Sequence, residues 1–224
     1  MNIDLPRRNL KTKNFVLKEG TLYIRNRFFF KPSVQQLTYS LKGRRKCFYC
    51  GLDFPLSQMT LDHVYPKIIG GPYIPNNLVP CCQICNGMKA DMTAGQYLQF
   101  SRISKTDEKV KFVKDLNLTR EELRKDGKSE LPQNWIEEIP TKEIRFNTMK
   151  IREEAWNKKQ ETFLACNGHI PHPIVVDQEL KLIDGFHWLI IARQYNLETV
   201  PVIRLENVKI INKRSFETLL LNGH

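Results

Sequence analysis

Two Cys-x-x-Cys pairs, Cys47/Cys50 and Cys82/Cys85, bracket an Asp62-His63 dipeptide, and Asn86 follows the last cysteine directly. Zinc takes four thiolates in a tetrahedron, and one Cys-x-x-Cys turn supplies two of them. Two such turns, starting at residues 47 and 82, make a complete four-cysteine site. Cys82 is preferred to its neighbour Cys81, because Cys81 to Cys85 is a looser spacing. A zinc ion so enclosed has no open position, so it is structural and any catalysis falls to the residues it holds in place. The remaining cysteines, Cys81 and Cys166, read as small buried hydrophobes.

Hydrolysis of a phosphodiester needs a base for water, a cation on the scissile phosphate and stabilisation of the leaving oxygen. His63 suits the base, since imidazole titrates near neutrality. Asp62 supplies a hard oxygen of the kind Mg²⁺ or Mn²⁺ takes, and Asn86 a second one. Taken singly, His63 is equally a packed or surface histidine and Asn86 a helix cap. Their joint placement against the cysteines favours the chemical reading.

The elements that must carry these residues are short. Thr60–Val64 and Leu78–Val79 have strand composition, and Cys85–Met92 suits a short helix, with turns at Gly70-Gly71-Pro72 and Pro75-Asn76-Asn77 between them. Such a unit is too small to hold by burial alone, which is where a structural metal helps. Ahead of it, residues 1–46 hold 12 Lys and Arg against 2 acids, nearly all of the net charge of +11. That concentration favours a polyanion, nucleic acid before membrane. The first dozen residues read as mobile. Thr21–Phe30 reads as a strand whose Arg25 and Arg27 either share a presented face or are solvated. A helix is expected from Pro32-Ser33 with Val34, Leu37 and Leu41 on one side, ended by Gly43. Arg44-Arg45-Lys46 then leads into the first cysteine pair and suits phosphate contacts.

Residues 93–139 read as helical, with segments at 95–100 and 107–116 and a capping box at Thr119/Glu122 opening a further helix. Beyond them Asn167-Gly168-His169 marks a turn, Ile174–Asp177, Leu180–Ile183 and Val200–Leu205 are strands, and Phe186–Tyr195 is an amphipathic helix. No run is apolar enough to span a membrane and the first residues lack a secretory h-region, so the cytoplasm is the expected setting. Cysteines in that compartment serve metals more often than disulfides.

The segment Cys47–Ala90 resembles the HNH endonucleases, the ββα-metal nucleases, in the form with two zinc-binding cysteine pairs. The likeness rests on Cys47–Gly51, Asp62-His63, Pro66-Lys67, Gly70-Gly71, Asn77–Pro80, Cys82–Asn86 and Lys89. It implies His63 as general base, Asn77 as the asparagine bracing the motif loop, and Asp62 with Asn86 as ligands of the catalytic divalent cation. Asn86 stands where a histidine is more usual, a variant also found in the family. Two readings stand for Lys89: a phosphate contact, or a solvated helix lysine.

Pro173–Leu205 resembles the ParB/sulfiredoxin-like fold through Pro173–Asp177, Leu182–His187 and Val200–Val202, extending weakly upstream to Ile139. That likeness implies a nucleotide or phosphate site at Asp184, Gly185 and His187, where a helix N-terminus follows. Phe186 replaces the sulfiredoxin cysteine and Trp188 the arginine that commonly follows the histidine, so a binding scaffold stands beside an active site. Ile183, Trp188 and Ile191 are alternatively plain core.

The expected architecture is α+β: a basic arm over 1–46, a zinc-stapled HNH core over 47–92, a helical connector over 93–138 and a ParB-like module over 139–224. The expected activity is metal-dependent cleavage of DNA, probed against two rivals. One is a non-catalytic zinc module that binds nucleic acid, the other a nucleotide-dependent enzyme using the C-terminal part.

Overall fold

A computed structural model describes residues 1, 5, 9–12, 15–25, 30–42, 46–146, 151, 153–211, 215 and 217–218. The expectations at Arg27, Gly43, Arg44 and Arg45 lie outside these residues, as does half of the stretch read as mobile. Among them no helix is long and apolar enough to cross a membrane.

The fold is α+β. β1 (Leu10–Lys11), β2 (Phe15–Lys18) and β3 (Thr21–Ile24) form an antiparallel meander. β3 also pairs in parallel with β10 (Val208–Ile210), matching Leu22 to Val208 and Ile24 to Ile210. Helix α1 (Phe30–Lys42) follows and packs on β5 (Leu78–Cys82). β1, β2, β3 and α1 are thus built into the body, which corrects the reading of residues 1–46 as an arm. The reason is apolar: Phe15, Val16, Leu17, Leu22, Ile24, Val34 and Leu37 are all buried, at a burial worth roughly 1.5–3 kcal/mol for each large side chain. The strand expected to reach Phe30 stops at Ile24, and Arg25 sits at a bend.

β4 (Met59–His63) pairs antiparallel with β5, and α2 (Gln83–Lys89) packs on both. α3 (Ala94–Arg102) and α4 (Thr106–Lys125) come next. The capping box lies at Thr93/Gln96 and opens α3, whereas Thr119 sits inside α4 and its hydroxyl donates to the Asp115 carbonyl. Both threonines carry a suitable residue three places on; only Thr93 has extended backbone and follows a turn, as a cap requires.

The second four-stranded sheet runs β6-β9-β7-β8, from β6 (Glu137–Pro140), β7 (Ile174–Asp177), β8 (Leu182–Asp184) and β9 (Thr199–Leu205). α5 (Glu153–Ala165) and α6 (Phe186–Gln194) cover one face. Alternation along β7 explains its unbroken apolar run. Ile174 and Val176 face the cluster that contains Phe163, Trp188, Leu189 and Ile191, while Val175 faces the other side. On that other side Val175, Ile183, Ile203 and Leu205 meet Phe15, Leu22 and Ile24 together with Ile69, Ile74 and Leu78. One core therefore joins the N-terminal hairpin, the motif loop and the C-terminal sheet. α4 adds polar ties, since Arg124 Nη2 donates to the Ile68 carbonyl at 2.8 Å and Asn167 Nδ2 to that of Lys125 at 3.1 Å.

Candidate active site and metal centre

The ligand atoms of Cys47, Cys50, Cys82 and Cys85 all lie within 4.8 Å of one another. The first turn is closed by Gly51 N–H to the Cys47 carbonyl at 3.0 Å, with Gly51 at φ +72°, which glycine adopts without strain. The second turn opens α2, where Cys82 is the N-cap and its Sγ accepts from Cys85 N–H at 3.4 Å. Phe48 N–H donates to the Pro80 carbonyl at 2.9 Å and ties the two turns together. Burial pushes the Cys47 thiol up, but backbone hydrogen bonds at Cys50, Cys82 and Tyr49 outweigh it and bring the group down to about 7. Four convergent sulfurs with such bonds have the donor set and enclosure of a tetrahedral zinc site. Cys81 is fully buried, and burial drives its thiol well above the ordinary range, as suits a small core side chain.

The ββα unit brings Asp62, His63, Asn77, Asn86 and Lys89 onto adjoining elements. Asn77 is completely buried. Its Oδ1 accepts from Tyr65 N–H at 2.9 Å, and its Nδ2 donates to the carbonyls of Tyr65 at 3.0 Å and Pro72 at 2.9 Å. One amide thus clamps both ends of the loop that leaves β4. The chain crosses itself so closely there that a Cβ on Gly71 would fall 1.7 Å from the Tyr65 carbonyl oxygen.

His63 ends β4 beside Tyr73, with ring centroids 5.5 Å apart. Its Nε2 is buried without a hydrogen-bond partner among the described residues. Burial, with the charges of Lys67, Lys89 and Lys31 adding to it, lowers the imidazole to about 4. The ring is therefore neutral at pH 7 and a weaker base than a free imidazole.

Asp62 is 6% exposed and Lys89 not at all. Lys89 Nζ lies 3.2 Å from Asp62 Oδ1 and 3.1 Å from Oδ2, and Tyr49 Oη donates to Oδ2 at 2.5 Å. Lys89 is thus neither solvated nor set on the surface. Tyr49, inside the first cysteine turn, links the metal frame to this carboxylate, a role its sequence position did not announce. Asn86 is half-buried and lies three residues before Lys89, one turn along the helix side that meets β4. It is interior to α2, not its cap. Aspartate and asparagine oxygens are the hard donors a magnesium or manganese ion accepts, and each Asp62 oxygen, accepting from Lys89 or Tyr49, keeps lone-pair capacity.

Residues 47–99 match the family model of the HNH endonucleases. The match covers less than half of the chain and takes in the four cysteines, Asp62, His63, Asn77, Asn86 and Lys89. It brings nuclease character and a nucleic-acid substrate to this region at the level of the family. No curated protein matches the chain.

In the C-terminal unit the candidate residues part company. Asp184 and Gly185 line a cleft of about 190 Å³ with Lys67, Lys159, His172 and Trp188, and His187 is not among its lining residues. Gly185 has φ +93°, and a Cβ there would sit 3.2 Å from Ile174 Cα. Trp188 is 4% exposed and packed in the core with Ile191, and Lys159 Nζ lies 4.4 Å from its ring centroid. Asp177 is equally structural: its oxygens accept from the N–H groups of Glu179, Lys181 and Ile210 at 2.9–3.1 Å, fastening the β7–β8 turn to β10.

Proposed function

We propose that the chain is a divalent-cation-dependent endonuclease that hydrolyses phosphodiester bonds in double-stranded DNA. The observation that carries this reading is His63, whose buried Nε2 has no hydrogen-bond partner among the described residues, next in the chain to the buried Asp62 and within the segment matching the HNH endonucleases. His63 takes the proton of the attacking water. Asn77 fixes the loop behind it, and Tyr49 fixes Asp62 against the cysteine frame. Asp62 and Asn86 hold the magnesium or manganese ion, which when bound supplies positive charge to the phosphate oxygens. Zinc at the four cysteines keeps β5 and α2 in register with the first turn. Purified protein should nick or cut plasmid with Mg²⁺ or Mn²⁺. His63→Ala should lose that activity while retaining zinc, and equal cleavage by the two proteins sinks the assignment. A non-catalytic zinc module would instead bind nucleic acid with salt-sensitive affinity and no metal-stimulated cutting.

A second reading concerns residues 139–224 as a ParB/sulfiredoxin-like module that positions the nuclease and holds a nucleotide or phosphate near Asp184, Gly185 and His187. The cleft shared by Asp184, Gly185 and Lys159 favours it. The buried Trp188 disfavours catalysis there, because the ring fills core where a phosphate-binding arginine is common in that family. A rise in melting temperature with a nucleotide, lost in Lys159→Ala, would support it. No shift with any nucleotide would remove it.

A further inference from the structure

The pair Lys89–Asp62 is the most deeply enclosed ion pair among the described residues, with side-chain exposures of 0% and 7%. An ammonium so far from water needs a counter-charge, and the carboxylate 3.1 Å away supplies it. The same carboxylate is the strongest candidate donor for the divalent cation. Two cations on one carboxylate repel each other strongly at such separations, most of all where water is excluded. The Lys89 side chain, at the end of α2, has no exposed surface from which to turn away and relieve this.

We propose that Lys89 sets the affinity of the Asp62 site for a divalent cation: its ammonium neutralises the carboxylate and keeps free-ion binding weak. The phosphate of a bound nucleic acid offsets the combined positive charge of ammonium and metal. Metal and nucleic acid therefore bind with mutual reinforcement, each raising affinity for the other by the same factor. Tyr49 contributes orientation without charge, so it shapes the site and leaves its electrostatics alone. The inference rests on Asp62 being a cation ligand.

The test is Mn²⁺ binding to the zinc-loaded chain, followed by the electron paramagnetic resonance signal of the free ion, with zinc content measured alongside. Lys89→Met and Lys89→Gln should bind Mn²⁺ at least about tenfold more tightly than the parent, since one removed charge exceeds the energy of a tenfold change. Lys89→Arg, which keeps the charge, should bind as weakly as the parent, and this contrast with the neutral variants is what a purely structural lysine would not produce. Where Lys89→Met does not fold, Lys89→Gln, which retains a donor to Asp62, decides. Asp62→Asn should abolish binding in either background. Equal Mn²⁺ affinity for parent, Lys89→Met and Lys89→Gln overturns the role given to Lys89. Absence of Mn²⁺ binding in every protein overturns it together with the cation-ligand reading of Asp62, whereas binding without any cleavage overturns only the nuclease reading.

Discussion

The motif region and the C-terminal unit bury different things. Between Cys47 and Tyr97 the enclosed side chains include a carboxylate, an ammonium and an amide beside four clustered cysteines. Around β7, β9 and α6 the enclosed side chains are apolar, and the buried Asp177 is satisfied by three backbone N–H groups. A buried polar group answered by backbone is completing a turn. One answered by another charge or a tyrosine hydroxyl is being held for something, because apolar residues would stabilise the same volume at least as well. By that measure the Asp62–Lys89–Tyr49 group stands apart from the C-terminal unit, which shares a core with the motif region.

That contrast can be broken most forcefully through the metal. A strong chelator, or Cys85→Ser, should strip hydrogen-exchange protection from β4, β5 and α2 first, because structural zinc is worth on the order of 10 kcal/mol in small domains. Protection in β7 and α6 should outlast it. Simultaneous loss in both regions would mean that the shared core around Leu78 and Val175 couples them into one unit.

A smaller effect is expected from Asn77→Ala. It leaves Tyr65 N–H and two carbonyls without their partner in a buried loop, at a cost of about 2–5 kcal/mol in chemical denaturation. Removing an exposed amide such as that of Asn157 should cost under about 0.5 kcal/mol.

The pH dependence of stability links the two regions. Burial lowers both His63 and His172 to about 4 in the folded chain, with Lys67 and Lys89 acting further on the first and Lys159 on the second. Above an unfolded value near 6.5 both states are neutral and stability is level. As pH falls from there towards 4 the unfolded chain takes up protons that the folded chain refuses, so stability declines, by at most roughly 3 kcal/mol for each histidine. His172→Gln should flatten about half of that slope in urea melts at pH 7 and pH 5. An unchanged slope would show that His172 is protonated in the folded state.

Local pattern revealed much of this in the sequence. The ββα order, the four-cysteine set and β7 follow from spacing and alternation that act over a few residues. What escaped notice depends on distance along the chain. The parallel pairing of β3 with β10 joins residues that no periodicity connects, so Phe15–Ile24 read as part of a basic arm. Thr119 carried a capping signature that α4 overrode by running through it. Lys89 read as either a phosphate contact or a solvated lysine, since lysine is rarely enclosed; its partner Asp62 lies on a different element, and only the packing of α2 on β4 brings the two together. Tyr49 was hidden as a spacer between two ligands.

The central claim is that His63 performs the chemistry within a frame built by the cysteines. It is tested most directly by single-turnover cleavage of plasmid DNA in Mg²⁺ or Mn²⁺, comparing the parent with His63→Ala at matched zinc content and matched DNA binding. A loss of roughly 10²–10⁴-fold in rate is the predicted result, the range expected for removing a general base. Undiminished cleavage by His63→Ala, with zinc and DNA still bound, would contradict the account.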